Sequence, residues 1–441
     1  MSTTAETVSQ ASDTVLSATL RVWPLLLGIC LLLAGNGLQG SLLGLVAEDE
    51  SFSSAMTGII MAAYFVGFLI GSQVSELFIS RVGHVRTFAA FASLGSVAIL
   101  VHGIFIEPFT WAAMRLVTGF CFAGLYVVAE SWLNRETTSE HRGGLLAVYM
   151  IVTHVGLASG QGLLNLAPPS GLSLYVVASI VLSLAVLPML LSSAPQPHFE
   201  FEREQMGIWK LWRVTPLGTG GCFLAGMANG IVLGMAAVYA RRLGLDVASI
   251  SVFMAAIMIG GAVFQWPIGK LSDRIDRRGV ILAVAIATAL ATTAMQLVAS
   301  NTLALVAAAF VLGGFVLVLY PLFLSYANDW FNAEQLVSAS SGLVMVYGAG
   351  ALVGPIGTGF LMGRFGTAGF TGFLVALMLV TVVFTALRII ATPGPDNQED
   401  FLATPATIGV SEYWAEGAAE SAESTENDEA ASGEGASLPA Q

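Results

Sequence analysis

Four sets of residues have the types and spacings that chemistry needs. Arg115, Gly119, Tyr126 and Glu130 recur at helical intervals, within about 60° of one another on a wheel turning about 100° per residue. One stripe therefore carries a base, a small residue, a phenol and an acid, the equipment for holding an ion or exchanging a proton. His154, Gln161 and Asn165 fall within an arc of about 40°, with Gly156 and Gly160 on the opposite side. That helix has a polar face and a close-packing face, and His154, which changes charge near neutral pH, is a candidate proton carrier. Asn36, Gln39 and Asn229 are amides in apolar runs, offering donors and acceptors without a full charge. The fourth set, Gly269-Lys270-Leu271-Ser272-Asp273-Arg274-Ile275-Asp276-Arg277-Arg278, concentrates acids and bases in one short stretch. No nucleophile–base pair, metal cluster or G-x-x-x-x-G-K-[ST] phosphate loop is discernible, so no enzyme, metal, cofactor or ATP-driven machine is expected.

Each set also admits a plainer role. Long side chains such as Arg115 and Glu130 reach water from near a helix end by snorkelling. A lone histidine more often hydrogen-bonds structurally, and amides join helices to one another. The surrounding solvent bears on the choice, and composition indicates what it is. Of 441 residues, 56% are hydrophobic and 10% charged, and 48 are glycine. Soluble domains carry about a quarter charged residues and about 7% glycine. The chain is too apolar for a water-exposed surface, and its glycine excess suits helices packed in lipid. Against 29 Asp+Glu, 17 Lys+Arg cannot build a surface that tracks nucleic-acid phosphates.

Apolar runs of the length that crosses a bilayer predict twelve transmembrane helices. They lie near 22–46, 55–79, 87–106, 111–133, 143–167, 171–191, 214–238, 248–270, 279–299, 302–326, 336–362 and 369–391. The fold class expected is an all-α membrane protein. Residues 1–21 form an N-terminal tail, 22–191 a six-helix bundle, 192–213 a central loop, 214–391 a second six-helix bundle and 392–441 an acidic tail. With both termini in the cytoplasm, thirteen basic residues fall on the inner side and only Arg241, Arg242 and Arg364 on the outer side. In the central loop, Trp209 and Trp212 beside Lys210 and Arg213 suit a short helix at the membrane surface. The first run, Val22 to Val46, exceeds a signal-peptide core and should remain as a span. Cys30, Cys121 and Cys222 lie inside apolar runs and read as packing residues. Eleven acids and no Lys or Arg follow Thr392, which leaves the rest of the chain near −1 of a net −12. That tail is too poor in aliphatics to fold alone.

The two bundles repeat each other. Asn36-Gly37 recurs as Asn229-Gly230, Met61-Ala62-Ala63 as Met254-Ala255-Ala256 and Arg81 as Arg274, all at an offset of 193. At 194, Gly119 aligns with Gly313, Tyr126 with Tyr320, Ser131 with Ser325, Asn134 with Asn328, Gly156 with Gly350 and Gly160 with Gly354. Parallel six-helix repeats related by an axis along the membrane normal match one transporter architecture.

The stretch Gly269 to Arg278 resembles the major facilitator superfamily loop signature G-x-L-a-D-R-x-G-R-R, with Asp276 in place of the second glycine. The resemblance implies interhelical ion pairs made by Asp273, Arg274, Arg277 and Arg278 that steady one conformation. The matching stretch Glu76-Leu77-Phe78-Ile79-Ser80-Arg81-Val82-Gly83-His84-Val85-Arg86 is a weaker copy. Ser80 replaces the acid, and Glu76, one turn earlier, is a substitute carboxylate. Arg115 with Gly119 resembles the superfamily's R-x-x-x-G motif, and Gly348, Gly350, Gly354-Pro355 and Gly359 its glycine–proline motif. Gly119-Phe120 through Glu130-Ser131-Trp132-Leu133-Asn134, followed by Arg142-Gly143, resembles the YcaD-like branch of bacterial inner-membrane members.

What this implies is a secondary active transporter that moves a small solute, rather than a large polymer, by alternating access, coupled to a proton or ion gradient. It would act as a monomer in the cytoplasmic membrane, with lipid as its surroundings. Arg115, Glu130 and His154 are expected to carry coupling or substrate charge. Asn36, Gln39, Gln161, Asn165, Asn229, Tyr126 and Tyr320 would line the cavity, and Glu76, Arg81, Gly83, Gly269, Asp273, Arg274, Arg277 and Arg278 would form the gating loops. A facilitative uniporter, or a membrane sensor signalling through the acidic tail, is the alternative.

Overall fold

The computed structural model describes residues 19–20, 22–135, 142–191, 206–395 and 401. The expectations for residues 1–18, Arg21, the central loop over 192–205 and the tail beyond Phe401 lie outside the described residues, as do the side chains of Asn134, Arg135, Arg142 and Gly143. The described residues hold helices and no strand. In the first part of the chain these are α1 Trp23–Asp49, α2 Ser54–Val82, α3 His84–Ile104, α4 Pro108–Arg135, α5 Arg142–Leu163, α6 Ser173–Leu184 and α7 Val186–Leu191. After the short α8 Ile208–Val214 come α9 Pro216–Arg242, α10 Val247–Ser272, α11 Arg277–Leu297, α12 Thr302–Val316, α13 Leu319–Asn328, α14 Ala333–Phe365 and α15 Thr367–Ala391.

Local chemistry sets many of these bounds. Ser53, Asp246 and Asn301 cap α2, α10 and α12 by accepting backbone N–H groups. Gly83, at φ 86°, makes the joint between α2 and α3 in a conformation that favours glycine. Pro188 and Pro321 cannot donate to the carbonyls of Leu184 and Leu317, and the helix breaks at those places, separating α6 from α7 and α12 from α13. The helix expected at the membrane surface is present as α8, with Leu211 buried and Trp209 and Trp212 exposed.

Eleven segments among the described residues are long and apolar enough to cross a membrane, counting α6 with α7 and α12 with α13 as single spans. The 22-residue α5 packs among them against α1. The chain is a multi-pass membrane protein.

Packing partners repeat along the chain. α1 lies on α5 as α9 lies on α14, α2 on α4 as α10 on α12, and α3 on α6 as α11 on α15. The contacts repeat residue by residue. A Cβ on Gly67 would strike the Leu116 carbonyl, and one on Gly260 the Phe310 carbonyl. Gly119 faces the Tyr64 carbonyl as Gly313 faces that of Ile257. Gly156 and Gly160 face Cys30 and Ala34, as Gly350 and Gly354 face Phe223 and Met227. In every pair one partner is displaced by 193 and the other by 194 residues. Backbone contact of this kind needs residues without a Cβ, and it gives lipid-embedded helices the dispersion and Cα–H···O contacts that hold them.

Between the two sets, α2 packs on α14, α10 on α5 and α1 on α9. These contacts include a pair of equivalent seams. Gly58 lies against the Pro355 carbonyl, and at the matching place the Ser251 hydroxyl donates to the Gln161 carbonyl at 2.5 Å.

Gly67→Val should push α2 off α4. We expect a destabilisation of about 1–3 kcal/mol or more, read as a lowered thermal midpoint in detergent. Gly162→Ala, where a Cβ meets nothing within 4 Å, should leave the midpoint unchanged.

Candidate functional site

A cavity lies at mid-depth where the two sets of helices meet, with about 930 Å³ of space between side chains, part of it open to solvent. From the first set, α1 contributes Asn36, Gly37, Gly40 and Ser41, and α2 contributes Met61, Tyr64, Phe65 and Phe68. Arg115 and Tyr126 come from α4, and Leu157 and Gln161 from α5. From the second set come Leu233 and Gly234 of α9, Met254 and Met258 of α10, and Tyr347 and Gly348 of α14.

Of the residues expected to line the cavity, Asn36, Arg115, Tyr126 and Gln161 do so. Arg115 is 6% exposed and does not snorkel. Its guanidinium sits over the Tyr64 ring at 4.5 Å from the centroid. Its Nε and Nη1 have no hydrogen-bond partner among the described residues. The Tyr64 and Tyr126 hydroxyls likewise lack a partner of good geometry, with the Asn36 amide their neighbour. Gln161 is fully engaged: its Nε2 donates to the Gly37 carbonyl at 3.0 Å and its Oε1 accepts from Ser41 Oγ at 2.6 Å.

The other expected cavity residues stand elsewhere. Glu130 follows Arg115 by fifteen positions, about 22 Å along the helix, and that rise removes it from the cavity wall. It is 4% exposed, so it does not snorkel either, and Tyr149 Oη lies 3.5 Å from its Oε1. His154 bonds through Nδ1 to the Met150 carbonyl of its own helix at 2.8 Å, outside the cavity wall. Gln39 is buried away from the cavity with both amide atoms unpartnered among the described residues. Asn229 reaches the cavity only through Tyr347, donating to its hydroxyl at 3.3 Å. Tyr320 is buried behind Tyr347, ring centroids 4.4 Å apart. Asn165, in the 3-10 turn Leu164–Leu166 that follows α5, donates to Ser251 Oγ at 3.0 Å and ties that turn to α10. Gly119 serves packing, as described above.

The end of the bundle bearing the start of α1 also carries the Gly269–Arg278 stretch. Arg277 has no side-chain exposure. Its Nη1 donates to both oxygens of Asp329, each at 2.8 Å, and its Nη2 lies 3.3 Å from Asp273. Arg278 pairs with Asp276 at 2.9 Å and donates to the Thr392 carbonyl. Those hydrogen bonds from Arg278 hold the Asp276 carboxyl below its usual range. Arg274 departs from expectation, because it is exposed and makes no ion pair among the described residues. Gly269 is covered by the Phe401 ring, and Asp273 Oδ1 accepts the Phe401 N–H at 2.7 Å. In the weaker copy, Glu76 is buried while Ser80 and Arg81 are exposed, and Gly83 supplies the turn.

The opposite end is closed by ion pairs between the sets. Asp49 of α1 meets Arg241 of α9 at 2.7 Å, and Glu48 meets Arg242 at 2.9 Å. Arg242 also donates to the Met362 carbonyl of α14.

Sequence reasoning missed Tyr64, Tyr347, the three cavity methionines, Asp329 and the Glu48–Asp49 pair. Two of these had a signal. Met61 and Met254 are repeat equivalents, and repeat equivalents on one axis tend to meet. Arg241 and Arg242 go against the charge asymmetry of the other loops, which asks for acidic partners.

The Major Facilitator Superfamily model matches residues 25–261 and 218–417. An uncharacterised MFS-type transporter of Yersinia pestis is 28% identical over 377 residues, covering 85% of this chain and 96% of its own. The MFS-type transporter YcaD of Escherichia coli is 29% identical over 368 residues, covering 83% and 94%. Among solved structures, the nucleoside transporter NupG superposes with a TM-score of 0.69 at 14% identity, covering 85% and 98%. A bacterial homologue of the human lysosomal transporter Spinster, inward-facing and unoccupied, superposes with a TM-score of 0.64 at 16% identity, covering 84% and 95%. The likeness to the solved structures is one of fold. With both matched stretches together spanning most of the chain, the protein belongs to the Major Facilitator Superfamily, in its YcaD-like branch.

Proposed function

We propose that the protein is a secondary active transporter of the bacterial cytoplasmic membrane, moving a small solute by alternating access. Its twelve spans, with α5 as the one beyond the eleven, form two six-helix halves that rock about the cavity, and both termini are cytoplasmic. The observation that carries the reading is the cavity itself. It sits between repeat-related helices, it is lined by both sets, and it is closed at one end by paired charges. Under the charge asymmetry of the loops that closed end is the outer one, so this conformation faces inward. The printed names of the relatives, MFS-type transporters, support the same class.

Opening the outer end would require the Asp49–Arg241 and Glu48–Arg242 pairs to separate. Both are partly exposed, and such pairs are worth about 1 kcal/mol or less each, a barrier that rocking can cross. At the inner end, the Arg277–Asp329 pair lies within the second set and holds α11 to α13. It would stiffen that half rather than join the halves. Glu130 is the carboxylate best placed for coupling, because it is buried within a span beside the Tyr149 phenol, and ionisable groups at such positions mark ion and proton paths. A small solute rather than a polymer suits a cleft enclosed between two helical bundles.

Two measurements test the reading. A short bis-methanethiosulfonate cross-linker, which forms a disulfide at each end with loss of sulfinate, joining Asp49→Cys to Arg241→Cys should abolish solute flux into vesicles, and reducing the bridge should restore it. Full flux in the joined protein would exclude movement through that end. Separately, Glu130→Gln should remove the response of transport to an imposed pH gradient while leaving solute binding intact. An unchanged pH profile at normal expression would take Glu130 out of the mechanism.

A further inference from the structure

The charge inventory of the cavity wall is unbalanced. Among the described residues, Arg115 is the one charged side chain lining it, and no Asp or Glu does. A guanidinium taken from water into a span is costly unless it is paired. The Tyr64 ring beneath it compensates in part through a desolvated cation–π contact. Two of its nitrogens still have no acceptor. Next to it stands Tyr64 and, beyond Tyr64 by the Asn36 amide, Tyr126; neither phenol hydroxyl has a partner of good geometry among the described residues. Gln161, by contrast, is satisfied by the protein alone. The unfilled hydrogen-bonding capacity therefore lies on one side of the cavity and consists mainly of donors around one positive charge.

We propose that the cavity takes a small monocarboxylate with an apolar body, its carboxylate received by Arg115 and the neighbouring phenols. This rests on the transport reading and names the class of solute. A carboxylate matches the planar fork of a guanidinium, and a single negative charge balances the single positive one. A phosphate dianion would leave a net negative charge facing a wall without a second cation. The rest of the wall sets the body. Met61, Met254 and Met258 with Phe65, Phe68 and Leu233 form a polarizable apolar surface, of the kind that adapts to varied apolar shapes.

The test compares acids with their own amides on the full-length protein in lipid nanodiscs. Acetate, hexanoate, benzoate and indole-3-acetate are each titrated against the matched neutral amide, with inorganic phosphate and chloride as further probes. At least one apolar acid should bind about tenfold or more tighter than its amide, the difference expected of a charge-assisted hydrogen bond. Arg115→Gln should erase that preference, while Arg115→Lys, which keeps the charge, should retain part of it. Equal binding of every acid and amide overturns the proposal, as does an acid preference that survives in Arg115→Gln. Binding of phosphate or chloride without the organic acids also overturns it. If Arg115→Gln does not fold, the acid–amide comparison on the wild type decides alone. The readout is binding, so the two readings fail separately. Acid binding without vesicle flux sinks transport and keeps the site, whereas flux that the Asp49→Cys–Arg241→Cys cross-link blocks, without acid binding, keeps transport and sinks the solute class.

Discussion

A glycine facing a backbone carbonyl is the contact on which the rest of this molecule depends. Helices in lipid have no water to expel from between them, so their attraction must come from close approach. Here the approach is made at Gly67, Gly119, Gly156 and Gly160, and again at their equivalents Gly260, Gly313, Gly350 and Gly354. Because backbone meets backbone, these interfaces have no side chain to rearrange and can accommodate little sliding. The pairs α1–α5, α2–α4, α9–α14 and α10–α12 are therefore stiff units. Stiff units are what allow a cavity lined by seven different helices to keep its shape.

The repeat is faithful in packing and unfaithful in chemistry. Displacing Arg115, Glu130, His154 and Gln161 by 194 lands on Ala309, Leu324, Gly348 and Pro355. Every ionisable or amide group in that series belongs to the first set of helices. The loop chemistry runs the other way. Asp273 and Arg277 of the second set correspond at 193 to Ser80 and His84, and the fully buried Arg277–Asp329 pair belongs to the second set. The glycine contacts that shape the scaffold occur in both copies, while each copy carries a different set of polar groups.

Hydropathy, loop charge and the constant offset made the helices and their repeat legible in the sequence, because these follow from the period of apolar runs and from backbone geometry. The breaks at Leu184 and Leu317 follow from prolines and were legible in principle. The site was legible only in part. A helical wheel places Arg115, Tyr126 and Glu130 on one stripe, yet it ignores rise, and the height of Glu130 along α4 takes it out of the cavity. The wheel also cannot show that His154 turns back to the Met150 carbonyl. Tyr64 carries no motif of its own, and what places it under Arg115 is the crossing of α2 and α4. Phe401, expected within an unstructured tail, instead lies on Gly269, where the missing side chain leaves room for an aromatic ring.

The cavity wall differs across the axis that relates the two sets of helices. On one side stand Asn36, Arg115, Tyr126 and Gln161; on the other, Leu233, Met254 and Met258, with Tyr347 contributing a single hydroxyl already engaged by Asn229. The charged end of an occupant would therefore turn toward the first half, while its apolar body would touch Met61, Phe65 and Phe68 of that half and the thioethers and Leu233 of the second. Molecules with a charged group at each end would strand one of them among thioethers, so such two-headed compounds are disfavoured by the shape of the wall rather than by their size.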